Sequence, residues 1–255
     1  MKLSDVTKVL DDVAPLRFAE KWDNVGLLVG DPEAEVKRIL VTVDYTRGVA
    51  DEGDCDLVVA YHPPMFAAVK RVPHQALWAE AVRKGIALYS PHTALDVAHG
   101  GTNDFLGDAC AMTSRTALRR FALEEDPALG LGRVGDVAPT TLRDLVAQLK
   151  PALGLGHVLV AGDLAHPVKR VAVAAGAGGE LLNDALRAHA DVFLTGEIRH
   201  HDALSAVAKG TAVIATMHSN SERAAVRAYA KTLAERMPEL AVRFSEADAD
   251  PFVFV

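Results

Sequence analysis

Unbroken apolar runs recur along this chain at Arg38-Ile39-Leu40-Val41-Thr42-Val43, Leu57-Val58-Val59-Ala60, Ile86-Ala87-Leu88-Tyr89-Ser90, Val171-Ala172-Val173-Ala174 and Ala212-Val213-Ile214-Ala215. Runs this short, apolar on both faces and rich in β-branched residues, predict strands covered on both sides. Polar and apolar positions between them alternate with a helical period. Val6, Val9, Leu10 and Val13 after Ser4 predict an amphipathic helix capped by Ser4 and closed by Pro15. Gln75 to Lys84 predicts a helix ending at Gly85, and Thr140 predicts the cap of a helix reaching about Lys150. Strands also fit His157 to Ala161 and Asp191 to Thr195, whereas Glu20 to Asp31 reads as a turn and a short strand with Trp22 as an aromatic anchor. Strands alternating with helices predict an α/β fold.

The order repeats. Val36-Lys37-Arg38-Ile39 is matched by Val168-Lys169-Arg170-Val171, and Cys55-Asp56-Leu57-Val58-Val59 by Ala190-Asp191-Val192-Phe193-Leu194, which sets Tyr61-His62 opposite Gly196-Glu197. The expected architecture is two related α/β lobes whose facing edges form a metal-binding cleft. Clean periodicity is lost from Met112 to about Val137, a stretch with Gly130, Gly132 and Gly135. The reading is therefore a first lobe over 1–112, a connecting segment over 113–137 and a second lobe over 138–255, its C-terminal segment free to pack on the first.

Chemistry gathers where the strands end. Two prolines stop the ladder after Tyr61-His62, and Pro91 precedes His92-Thr93-Ala94-Leu95-Asp96. Some 126 residues after His92 comes His218, with Glu222 at plus four as Asp96 is to His92. Open α/β sheets bind ligands at the carboxyl ends of their strands. His62, His92, Asp96, His218 and Glu222 are thus candidate ligands of Zn, Fe, Mn or Co. One carboxylate can bridge two such ions and generate hydroxide near neutral pH, which points to hydrolysis. Glu197, His200 and His201, opening a helix after the strand at Asp191 to Thr195, are expected to line the cleft. Gly176-Ala177-Gly178-Gly179 lacks the Lys-Ser/Thr of a Walker motif and dinucleotide spacing, so it reads as a structural turn before a phosphate cradle.

Composition narrows the classes. Half of the 255 residues are apolar, enough for a sizeable core. No run approaches the roughly 18 apolar residues of a membrane span, so a cytoplasmic protein with no membrane partner is expected. The formal charge of −7 argues against a nucleic-acid partner. With two cysteines, Cys55 and Cys110, neither a disulfide framework nor a thiolate metal site is indicated.

Nearly the whole chain resembles the GTP cyclohydrolase 1 type 2 homologues, also called NGG-interacting factor 3-like proteins. The resemblance rests on Trp22-Asp23-Asn24-Val25-Gly26-Leu27, Tyr61-His62-Pro63-Pro64-Met65-Phe66, His92-Thr93-Ala94-Leu95-Asp96, Thr195-Gly196-Glu197 with His200-His201, and His218-x-x-x-Glu222. It implies a Nif-three-like fold, a homohexamer and a dinuclear site holding one or two divalent ions per chain. Carried over by residue, it makes His62 and Asp96 ligands of one metal, His218 a ligand of the other and Glu222 the bridge. Tyr61 stands where the family's commonest form has a second ligand histidine, ligating weakly or leaving the position to water, and the Tyr-His-Pro-Pro form resembles the eukaryotic-type branch. His92 does not ligate in that pattern, although the repeat nominates it; it orients a ligand or acts as general acid or base. The implied activity is metal-dependent hydrolysis of a nucleotide or pterin-like small molecule by metal-bound hydroxide. The alternative is a non-enzymatic metal-binding scaffold for a protein or nucleic-acid partner.

Overall fold

The computed structural model describes residues 1–121 and 126–253. Two compact units divide the chain, Met1–Ala98 with Val226–Val255, and His99–Ala225. The first opens with α1 (Leu3–Val13), β1 (Gly26–Val29), β2 (Arg38–Thr42), α2 (Arg47–Glu52), β3 (Leu57–Ala60), α3 (Leu77–Lys84), β4 (Ala87–Ser90) and α4 (His92–Val97). Next come α5 (Thr102–Ala109), β5 (Thr113–Arg120), β6 (Gly130–Thr141), α6 (Leu142–Leu153), β7 (Leu159–Ala161), β8 (Pro167–Ala174), α7 (Leu182–Arg187), β9 (Val192–Thr195), α8 (His200–Ala208) and β10 (Ala212–Ala215). The last elements are α9 (Arg223–Arg236) and β11 (Ala241–Phe244).

Among the described residues the first unit holds a sheet of order β1-β4-β3-β2-β11 and the second one of order β5-β6-β8-β9-β10-β7. Each sheet centres on three parallel strands, β2-β3-β4 and β8-β9-β10. In each, an earlier strand, β1 or β7, pairs antiparallel on the outer side of the last of the three. The mixed α/β architecture expected from the apolar runs is thus present, repeat included. Matched aspartates set both copies. Asp56 Oδ2 accepts hydrogen bonds from Lys37 N and Arg38 N at 2.9 Å, and Asp191 Oδ2 accepts them from Lys169 N and Arg170 N at 2.8 and 2.9 Å. A carboxylate there gathers backbone donors that precede the ladder and would otherwise lack partners.

Alternate residues of the first sheet enter two cores, as a strand period of two requires. Ile39, Val41, Leu57 and Val59 pack with Leu3, Leu10 and Leu233. Leu40, Val58, Ala60 and Leu88 pack with Val49 and Ala81 on the other face. In the second sheet, Val171, Leu194 and Ile214 pack with Leu106 and Leu145, and Ala172, Phe193 and Val213 with Leu182 and Ala206.

Three local expectations are corrected. α1 begins before Ser4, because the amides of Leu3 and Ser4 donate to the carbonyls of Ala34 and Pro32, which does the work of a side-chain cap. Thr141, not Thr140, caps α6 by accepting from Asp144 N at 3.2 Å, while Thr140 is still paired with Val168. The stretch over 113–137 contains β5 and part of β6, paired antiparallel within the second unit; residues 122–125 of it lie outside those described. Its glycines belong to the ladder: at Gly130 a Cβ would stand 2.2 Å from the carbonyl oxygen of Arg119.

Candidate metal centre

In the first unit the site residues stand at the carboxyl ends of β2, β3 and β4. His62 follows β3, with its amide donating to Val43 O at 3.0 Å. Its Nδ1 lies 2.9 Å from Asp44 Oδ1, just past β2. A carboxylate accepts hydrogen bonds, so this contact places the imidazole proton on Nδ1 and the lone pair on Nε2. Tyr61, buried, donates through its hydroxyl to Asp96 Oδ1 at 2.6 Å. Tyr61 therefore orients the neighbouring carboxylate.

His92 opens α4 with φ of +30°, a left-handed conformation that costs a side-chain-bearing residue about 1–2 kcal/mol. Asp23 compensates: His92 Nδ1 lies 2.8 Å from its Oδ1, and Thr93 donates to Oδ2 from Oγ1 at 2.5 Å and from N at 3.2 Å. Burial works to raise the Asp23 carboxyl, but the His92 and Thr93 hydrogen bonds and the His92 charge outweigh it and hold it below the usual carboxylate range. The His92 ring meets Tyr61 and His62 edge-on, with centroids 5.5 and 5.4 Å away. Trp22, expected as an anchor, is 58% exposed and stands over this cluster, 6.1 Å from His92 and 5.8 Å from Phe66. The anchor of that loop is its neighbour Asp23.

In the second unit His218 and Glu222 follow β10. Glu222 is 2% exposed, and its Oε1 lies 3.4 Å from His218 Nε2. His218 Nδ1 lies 3.3 Å from Glu197 Oε2, the loosest of three histidine–carboxylate contacts made through Nδ1. Gly176 presses against this pair: at φ of +60°, a Cβ there would stand 2.5 Å from Glu222 Oε1 and 3.3 Å from His218 Nε2. Ser221 fixes the approach, accepting from Gly176 N at 2.8 Å and donating to His218 O at 2.7 Å. Gly176 thus serves this packing, while Ala177 and Gly179 of the same loop face a cavity.

His200 and His201 stand exposed on the first turn of α8, rings 5.3 Å apart. They are absent from the lining of a cavity of about 780 Å³ in this unit, which Glu197 does line. Burial pushes the Cys55 and Cys110 thiols up to about 11 and about 12. Asp44, Asp23 and Gly176 were missed as site residues. The signal was available for two of them, since Asp44 and Gly176 each lie two residues past a parallel strand's end.

Comparison with known proteins bears on the family and the fold. A family model described as Duf34/NIF3 (NGG1p interacting factor 3) matches residues 1–251. The chain is 36% identical to a NIF3-like protein 1 of Drosophila melanogaster, over all of this chain and 89% of that one. It is 29% identical to a GTP cyclohydrolase 1 type 2 homolog of Clostridium perfringens over the full length of both. The crystal structure of a hypothetical protein of Staphylococcus aureus superposes with a TM-score of 0.90 at 26% identity, covering all of this chain and 99% of that one. No helix among the described residues is long and apolar enough to cross a membrane.

Proposed function

The chain belongs to the Duf34/NIF3 (NGG1p interacting factor 3) family, and from that premise we propose a metal-dependent hydrolase acting on a nucleotide- or pterin-like small molecule. The observation that carries this reading is the carboxylate behind each imidazole: Asp44 at His62, Asp23 at His92 and Glu197 at His218. Metal-binding histidines are habitually oriented in this way. His62 and Asp96, with His218 and Glu222, are the ligands we assign, Glu222 bridging where two ions bind. The donor types fit, since neutral imidazoles and carboxylates suit Zn, Fe, Mn or Co. So does the burial of Glu222, because a carboxylate withdrawn from water requires compensating positive charge. When bound, a divalent ion supplies Lewis acidity and lowers the pKa of water toward neutrality.

The chain's own residues supply the rest. Tyr61 holds Asp96 in orientation, and Asp44 and Glu197 fix the tautomers of His62 and His218. His92 carries a proton at Nε2, with Asp23 stabilising the imidazolium that forms, the division of labour seen in nucleophile-activating dyads. The proposal extends to a homohexamer, checked by sedimentation equilibrium.

The test is metal content per chain for protein purified without chelator, followed by formate release from guanosine and from GTP with metal restored. Glu222→Gln is expected to remove metal at every position it bridges, and His201→Ala to leave metal content within twofold of wild type. Equal losses from both would sink the ligand assignment. The family's description as an NGG1p interacting factor favours a second reading, a metal-binding scaffold for a protein partner. Bound metal without turnover selects it.

A further inference from the structure

The cavity of the second unit lies on the face of β7 and β10 opposite the α6 core. Val213 and Ala215 turn toward it, whereas Ala212 and Ile214 turn into the core with Leu145 and Leu149. Its floor is small and apolar: Ala161, Val213 and Ala215, with Ile198 and Ala203 from the β9–α8 loop and α8. Its volume of about 780 Å³ falls in the range of small-molecule sites, commonly about 300–1,000 Å³. A sheet face of alanines and a valine beside Gly196 presents a flat surface, which matches a planar ring better than a branched chain.

The charged residues around the cavity have the opposite sign from a phosphate site. Glu180, Glu197 and Asp202 line it beside Arg199, whose Nε is engaged by Asp202 Oδ2 at 2.7 Å, and Arg119, outside the lining, reaches Glu180 Oε1 at 3.5 Å. Of the adjoining glycine loop, Ala177 and Gly179 line the cavity, whereas Gly176 is packed against Glu222 and His218. Glu197 belongs both to the lining and to the His218 pair, and Met217, directly before His218, also lines the cavity. The cavity therefore shares Glu197 with the His218 pair.

We propose that this cavity takes the uncharged heteroaromatic part of the substrate and rejects polyphosphate, so that a nucleoside or free base, not a nucleoside triphosphate, is bound. This rests on the small-molecule reading of the preceding section and narrows its substrate class. The three carboxylates repel a triphosphate at short range, where screening by salt is weakest. Planar rings gain by leaving water for an apolar floor.

The experiment is calorimetric titration of chelator-treated protein with guanosine and with GTP, which share a base and differ in the triphosphate. Guanosine is expected to bind and GTP to bind at least tenfold more weakly, with the gap narrowing as salt is added. Glu180→Lys, at an exposed position, should narrow the gap at least threefold, and Ala203→Phe, which fills the floor, should weaken guanosine at least tenfold. GTP binding as tightly as guanosine, no guanosine binding at millimolar concentration, or an unchanged Ala203→Phe in folded protein would each overturn the proposal. Because the titration is run without metal, its failure is distinct from failure of the hydrolase reading, which metal content and formate release decide.

Discussion

The exits of β4 and β10 perform the same backbone manoeuvre with different side chains. Ala87 pairs with Leu57 in the first sheet and Ala212 with Val192 in the second, and this register sets His92 opposite Met217. Both take left-handed backbone, at φ of +30° and +73°. The sequence repeat equated His92 with His218; strand register moves the equivalence by one residue. The same registers set Asp44 opposite Gly176 and His62 opposite Glu197. In one unit the strained position carries the histidine itself, ringed by aromatic groups and anchored by Asp23. In the other it carries a methionine, and the histidine comes next, beside a buried glutamate and a glycine. A duplicated scaffold has therefore kept its strained position while shifting the imidazole at this strand end by one residue. This one-residue offset separates the positions to which the proposed function gives different roles, His218 as a ligand and His92 in proton transfer.

If the glycine is what allows the second arrangement, Gly176→Ala is the change that breaks it most. A Cβ there meets Glu222 Oε1 and must also adopt φ of +60°. A loss of about 2–3 kcal/mol in stability is expected, together with most of the bound metal. Denaturant unfolding and metal analysis check both; a variant with wild-type metal content would show that Glu222 has room to move. The matching change in the first unit is Asp23→Asn, expected to cost about 1–3 kcal/mol because the buried His92 and Thr93 groups lose their charged acceptor. The pH arm has a fixed sign. The folded Asp23 carboxyl lies below its unfolded value near 3.8, so its stabilisation is fully present above that pH and fades as pH falls through the folded value. The gap between wild type and Asp23→Asn should be constant well above pH 3.8 and narrow as pH falls below it, and a gap that does not narrow would contradict the ionised anchor.

Much of this was legible in the chain. The runs at Leu57 and Val192 are apolar on both faces because helices cover both faces of each sheet, and local composition reports that directly. Proline and histidine after β3 and β4 marked the site for a similar reason: a strand end is fixed by its own residues. Asp23 was not legible, since its partners His92 and Thr93 lie 69 and 70 residues away and nothing in Trp22-Asp23-Asn24 states which of them turns inward. Nor was the offset between His92 and His218, because pairing register, not spacing, decides it. The glycines of β6 looked like a linker for want of apolar alternation, although close approach to a neighbouring strand is what selects them.

Smaller effects sharpen the comparison. Glu197→Gln should change stability by less than about 1 kcal/mol, because the Glu197 side chain is half exposed and its contact with His218 is long. Metal affinity should nonetheless fall about tenfold, the usual order for losing a group that orients a ligand histidine. Competition with a metallochromic chelator measures it, and an unchanged affinity would mean that the Glu197 contact does not set the tautomer of His218.

The mildest test uses two core positions matched in register, Tyr89 in β4 and Ile214 in β10. Both are fully buried. The Tyr89 hydroxyl has no hydrogen-bond partner among the described residues, and the same holds for Tyr229 in its core cluster. Burial holds both phenols well above their ordinary range, with the Asp11 charge adding to it at Tyr89 and the Tyr89 phenol adding to it at Tyr229. A buried hydroxyl without a partner forfeits its hydration for nothing, at a cost of about 1–3 kcal/mol, against which the ring's packing is retained in phenylalanine. Tyr89→Phe is therefore expected to leave stability unchanged or raise it by up to about 1 kcal/mol. Ile214→Val, at the equivalent position, removes a methylene from a filled core and should cost about 0.5–1.5 kcal/mol. Denaturant midpoints decide between them: opposite signs mean that the first sheet's core tolerates a polar atom it does not use, and a loss from Tyr89→Phe means that the hydroxyl is tied to the fold.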